Sequence, residues 1–140
     1  MAYRFIEHTA DMGVEIEGTS FESLLSEGLL ALTDTLTEVE RVNLELELPI
    51  DLIAPSREDL LVEWLSEIVY LFETKSVLLR QTDLEVEAEG GGWRLRGTVR
   101  GERYDPDRHE IKTLIKAVTY HQLRVKSSTT GWSARVIFDL

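Results

Sequence analysis

The run Leu84-Glu85-Val86-Glu87-Ala88-Glu89-Gly90-Gly91-Gly92-Trp93-Arg94-Leu95-Arg96-Gly97-Thr98-Val99 sets the character of the chain. Apolar residues alternate with glutamates before the glycines and mostly with arginines after them. That is the period of two of a half-exposed strand on each side. Glycine at the break suits a tight turn. The arms form a hairpin whose wet face sets a row of Glu against a row of Arg. Such cross-strand pairs contribute roughly 0.2–1 kcal/mol each and help to fix register.

Working outward, the same alternation recurs. Tyr3 and Phe5 precede a polar break at residues 8–13, and Val14, Ile16 and Gly18 resume it with Glu15 and Glu17 opposite. Val42, Leu44, Leu46, Leu48 and Ile50 form a further strand that Ala54-Pro55 ends. Ile115 to Val125 reads as a long strand whose parity slips, with Val118 and Tyr120 on one face and Leu123 and Val125 on the other. One extra residue near His121-Gln122, a β-bulge, repairs it. Trp132, Ala134, Val136 and Phe138 make the last strand.

Two helices interrupt this pattern. Thr19 to Glu22 reads as a capping box opening a helix to about Leu36, with Phe21, Leu25, Leu29, Leu32 and Leu36 on one stripe. Gly28 inside it costs roughly 1 kcal/mol of propensity and implies a close backbone approach. Ser56 to Asp59 caps a second helix to about Glu73, whose apolar residues cover more than one face. It is the candidate for the central buried helix. The expected fold is therefore α+β: one domain over residues 1–140, mostly antiparallel sheet covered by two main helices.

A chain of 140 residues can bury a proper core without staples. It has no cysteine, which excludes disulfides, zinc thiolates and thiol catalysis. No apolar run approaches a membrane span and the first residues lack a signal peptide, so cytoplasmic residence is the expectation. The net charge of −11 repels phosphate backbones and suits a basic protein partner or a divalent cation. Acidity of this degree also serves plain solubility.

The candidate site is His8-Thr9-Ala10-Asp11-Met12-Gly13 together with Phe138-Asp139-Leu140. If the early turn meets the end of the last strand, the carboxylates of Asp11 and Asp139 and the terminal carboxylate of Leu140 converge. Converging carboxylates need a cation or a retained proton, and oxygen-only ligands select calcium or magnesium over zinc. The plainer reading has Asp11 capping a turn and Asp139 in a solvated tail. His8 suits a switch, a ligand or, most commonly, a turn donor. Lys116 reads as an edge lysine or as a partner of the carboxylates. Tyr104 and Asp105 sit in a polar loop suited to partner contacts. His109 and His121 lack metal-ligand spacing, and no nucleophile elbow, phosphate loop or zinc signature is present. Trp64, Trp93 and Trp132 are all in core phase.

On these blocks the chain resembles the archease family. They are His8-Thr9-Ala10-Asp11, Val62-Glu63-Trp64-Leu65, Gly101-Glu102 with Tyr104-Asp105-Pro106 and His109, Ile115-Lys116-Ala117-Val118-Thr119-Tyr120-His121, and Arg135-Val136-Ile137-Phe138-Asp139. The resemblance implies a non-enzymatic helper of the RtcB-type 3′-phosphate RNA splicing ligase. That ligase attaches GMP to its own histidine and joins RNA ends with manganese and GTP. The helper would promote guanylylation, allow multiple turnovers and broaden nucleotide use. The resemblance also implies a divalent cation on Asp11, Asp139 and Leu140, calcium first and magnesium or manganese next, with Lys116 as the lysine of its block. His8, Lys116, Tyr104, Asp105 and His109 are the expected partner contacts, with no direct nucleic-acid binding. Readings from other classes are a general chaperone or modulator of RNA- or DNA-modifying enzymes such as methyltransferases, a small metal-dependent hydrolase, and a structural adaptor.

Overall fold

Alternating strands and side-chain caps produce the elements in the order in which the sequence presents them. The computed structural model describes residues 2–7 and 10–140, with the backbone alone at Glu7. The elements are β1 (Tyr3–Glu7), β2 (Asp11–Gly18), α1 (Phe21–Leu36), β3 (Leu46–Ala54), α2 (Arg57–Lys75), β4 (Val77–Glu89), β5 (Gly92–Arg103), β6 (Ala117–Ser128) and β7 (Gly131–Asp139). A turn of 3-10 helix at Val39–Arg41 follows α1. All strand pairs are antiparallel. They build a four-stranded sheet in the order β1-β2-β7-β6 and a three-stranded sheet in the order β3-β5-β4. Both helices pack against strands of both sheets, so one core serves the whole molecule. The expected α+β class holds, with the strands divided between two sheets. Among the described residues no helix is long and apolar enough to cross a membrane.

The helix more deeply enclosed is α1 and not α2. No residue of α1 is exposed, whereas α2 leaves Glu58, Glu63, Ser66, Tyr70 and its last turn in water. Short polar side chains make this tolerable, because each finds a partner inside. Thr33 donates to the Leu79 carbonyl at 2.7 Å. That carbonyl lies at the register break of β4, where Arg80 is skipped between Leu79 and Gln81. Ser26 meets Thr82, and Tyr3 donates to Asp34 at 3.2 Å. At Gly28 it is side chains, Leu65 and Ile16, that come close, and not another backbone.

Several local expectations shift for identifiable reasons. The cap of α1 is Ser20, not Thr19, because Ser20 and Ser23 exchange reciprocal hydroxyl bonds to each other's amides at 3.0 and 3.1 Å. Ser56 caps α2 as expected, accepting from the Asp59 amide at 3.1 Å. Residues 42–45 lie outside β3: the Asn43 amide goes to Glu102 and the Val42 carbonyl to Arg80, and the Glu45 amide alone reaches β5, at the Gly101 carbonyl. The turn of the central hairpin is Gly90-Gly91, with φ of 59° and 82°, and Gly92 already belongs to β5. Its ion pairs run diagonally, Arg96 to Glu87 and Arg94 to Glu89, with Asp51 of β3 also held by Arg94 at 2.7 Å.

In β6 the irregularity falls where the parity slips, but it is larger than one residue. Thr119 pairs with Ile137 and Arg124 with Arg135, so five steps of β6 cover two of β7. Gln122 takes a left-handed φ of 54° within it. Tyr120 is therefore 56% exposed, not on the buried face with Val118.

The tryptophans divide. Trp64 is fully buried and donates to the Leu25 carbonyl at 2.8 Å. Trp93 of the small sheet and Trp132 of the large one are half-buried and cover the Arg57 guanidinium at 3.7 and 4.8 Å. Phe21 of α1 completes that enclosure. Desolvated cation–π contacts of this kind reach about 2 kcal/mol, and here they tie both sheets to the start of α2.

Replacing Trp64→Phe removes the indole's additional donation to the Leu25 carbonyl and shrinks a fully buried side chain. The expected loss is about 1–3 kcal/mol in urea unfolding, with far-ultraviolet dichroism of the native state unchanged.

Candidate functional site

β2 and β7 run antiparallel in a register that sets Asp11 directly opposite Asp139. The Leu140 amide donates to the Ala10 carbonyl at 3.1 Å, which makes residues 10 and 140 a hydrogen-bonded pair. The next pair, Asp11 with Asp139, is then a non-hydrogen-bonded one, the kind that brings side chains closest. Both lie on the sheet face opposite the core-facing Met12 and Phe138. Asp11 is half-buried and Asp139 is exposed, so only one of the two acids is withdrawn from water. Among the described residues, Asp11 Oδ1 is buried with no hydrogen-bond partner.

Ala117 flanks Asp139 on β6, and the Lys116 amide donates to the Asp139 carbonyl at 2.8 Å. Lys116 thus stands just before β6 and not in mid-strand. It is exposed and makes no ion pair among the described residues. Leu140 packs its side chain on the core and offers main-chain oxygen beside Asp139. His8 lies outside the described residues.

Like charges directly opposite on a strand pair destabilise it, and a buried carboxylate oxygen without a donor costs more still. A hard cation relieves both, and carboxylate and main-chain oxygens are the donors such a cation takes. The residues therefore fit a divalent cation. Among the described residues no three His, Cys, Asp or Glu side chains group together, so this fit rests on two side-chain carboxylates and main-chain oxygen.

The segment from 104 to 116 that leads to Lys116 is locked at its start by a buried acid. Glu102 is 2% and His109 3% exposed. His109 Nδ1 accepts from the Asp105 amide at 2.9 Å, so its Nε2 carries the proton and donates to Glu102 at 2.9 Å. Arg108 donates to the same carboxylate at 2.6 Å, and the Asn43 amide does so at 2.6 Å. Burial works to raise the Glu102 pKa, but these donors outweigh it and bring it down to about 2. His109, expected as a partner contact, is instead enclosed with both ring nitrogens occupied. Tyr104 is half-buried between Phe72 and His109. Asp105 is half-buried and organises the turn, its side chain accepting from the Asp107 amide and its carbonyl from the Arg108 and His109 amides. Glu102 is what the sequence reading passed over: it appeared only as part of a motif block. The Glu102-x5-Arg108-His109 spacing signals the lock only once the loop is known to fold back.

A cavity of about 920 Å³ lies at the other end of the large sheet, between Tyr3, Glu17, Glu27, Arg80 and Trp132. It shares no residue with the carboxylate pair.

The Archease protein family model matches residues 3–140. This chain belongs to the archease family. It is 37% identical over 139 residues to the protein archease of Methanosarcina mazei, covering 99% of this chain and 95% of that one. It is 37% identical to the protein archease of Methanopyrus kandleri over the full length of both. The solution structure of Methanobacterium thermoautotrophicum protein 1598 superposes with a TM-score of 0.87 at 28% identity, covering 99% of each chain.

Because the Glu102 pKa is depressed on folding, its contribution to archease stability is complete above the unfolded carboxylate value of about 4.5 and is lost as pH falls towards about 2. Urea unfolding across pH 5 to 2 should show an acid-dependent loss of about 3 kcal/mol from this group, and Glu102→Gln should flatten it.

Proposed function

We propose that this archease is a non-enzymatic activator of an RtcB-type RNA ligase. It promotes guanylylation of the ligase histidine, supports repeated turnover and broadens nucleotide use. The observation that carries the reading is the cross-strand pair Asp11 and Asp139, with the buried Asp11 Oδ1 left without a donor among the described residues. Family membership supports it, as does a surface of net charge −11.

Asp11, Asp139 and a main-chain oxygen of Leu140 would hold a divalent cation. Calcium suits a flexible all-oxygen set best, with magnesium and manganese next. Bound there, the cation would neutralise the pair and present a positive centre on an otherwise acidic tip. The protein's own part is positional. Strand pairing fixes where the two carboxylates sit, and the Lys116–Asp139 main-chain bond fixes the loop beside them. An acidic tip of this kind complements the cation-lined nucleotide site of a guanylyltransferase, and complementary potentials speed the encounter. Seated there, it reorders the site for nucleotide attack.

Single-turnover guanylylation of the organism's own ligase, at fixed calcium and manganese, tests this directly. Wild-type protein should accelerate the step. Asp11→Ala and Asp139→Ala should lose the acceleration while their dichroism spectra stay native. Full stimulation by both variants discards the reading. Calorimetry should in addition find calcium bound by the wild type and at least tenfold more weakly by Asp139→Asn.

A further inference from the structure

Three cations and one acid stand in a row across the outer face of the four-stranded sheet. The register sets Arg4 of β1 opposite Glu15 of β2, Glu15 opposite Arg135 of β7, and Arg135 opposite Arg124 of β6. The neighbours Val14, Ala134 and Val125 turn to the core, so this row faces outward. The row on one side, Gly13, Ile137 and Thr119, carries no charge, and in the row on the other Glu17 offsets Lys126. The cationic surplus is therefore local, on a chain whose net charge is −11.

The row does not satisfy itself. Arg4 holds Glu15 through two donors, one of them Nε at 3.1 Å. Arg135 stands 3.9 Å from the same carboxylate, and its Nε is buried with no hydrogen-bond partner among the described residues. Arg124 is exposed and makes no ion pair among the described residues. Like charges directly opposite on a strand pair destabilise it, and a buried donor without an acceptor adds to the cost. The irregularity of β6 is what sets the two arginines face to face. Between Thr119 and Arg124, five steps of β6 cover two of β7, an odd excess that reverses the parity of the strand. In an unbroken ladder Arg124 would turn to the core and Val125 outward. Gln122 takes its left-handed φ of 54° within this correction.

An oxyanion relieves both costs, and charge selects which one. Three guanidinium groups against one carboxylate match a phosphate monoester, which is close to dianionic at neutral pH. A carboxylate or a phosphodiester brings a single charge. Guanidinium forks also fit phosphoryl oxygens two at a time. We infer that Arg124 and Arg135 form a binding site for one phosphomonoester group of a small molecule. The acidic chain repels a strand of phosphodiesters, so the group does not come on a polyanion. The site lies four residues along β7 from Asp139, about 13 Å, on the same face of the sheet. It draws on no property of the carboxylate pair and stands apart from the activator reading.

Calorimetric titration in metal-free buffer at constant ionic strength tests it. Inorganic phosphate should bind the wild type at least tenfold more tightly than acetate or dimethyl phosphate does. Arg124→Gln and Arg135→Gln should each weaken phosphate at least fivefold. Arg124 is exposed, so its variant keeps the fold, and without phosphate its thermal midpoint should match or exceed that of the wild type because a like-charge contact is gone. Equal phosphate affinity in the wild type and Arg124→Gln overturns the site. Acetate binding as tightly as phosphate overturns the phosphomonoester assignment. A short RNA with a 3′-phosphate that binds more tightly than inorganic phosphate overturns the small-molecule source.

Discussion

The pairing of β2 with β7 is the constraint on which the rest depends. It joins the start of the chain to its end, so it closes the longest loop of the large sheet. The entropy of that long closure is met by the core-facing side of the same pair, where Val14, Ile16, Val136 and Phe138 are fully buried. The opposite face gains nothing from the core. There the register forces Asp11 against Asp139, an arrangement that costs stability by itself. A site built at the expense of local stability, and held by strong burial on the reverse face, is a common form for functional positions.

Two further devices keep the ends of the sheets in place. At one end, Arg57 is flattened between Trp93 and Trp132, so the helix α2 is fixed to both sheets by one side chain. At the other, the Glu102–His109–Arg108 cluster folds the long loop back before it reaches Lys116. Both are charged groups held where apolar residues would pack as well. Their value lies in direction: a guanidinium in an aromatic slot and a carboxylate with three donors each have one acceptable geometry. The loop carrying Lys116 thereby acquires a fixed path without regular secondary structure.

The division of α1 and α2 follows from the same economy of polar groups. α1 is the more enclosed helix because the serines and threonines along it bond inward, as Thr33 does to Leu79. α2 carries longer charged residues on one side and stays at the surface. Counting apolar residues alone favours α2 as the central helix. The reach of the polar side chains reverses the order.

Periodicity made the strands, the hairpin, both helices and the α+β class legible, because burial of alternate residues leaves a direct trace in the sequence. The motif blocks likewise carried the family. Asp11 and Asp139 could be singled out as acids at strand ends, but their apposition depended on a register between distant strands, which no local pattern records. The buried state of His109, the cage around Arg57 and the facing of Arg124 by Arg135 were equally out of reach. Each is made by side chains from separate elements, and local sequence fixes which face a residue takes but not what it meets there. Only the tertiary structure, by deciding which strands pair and at what offset, turned those residues into neighbours.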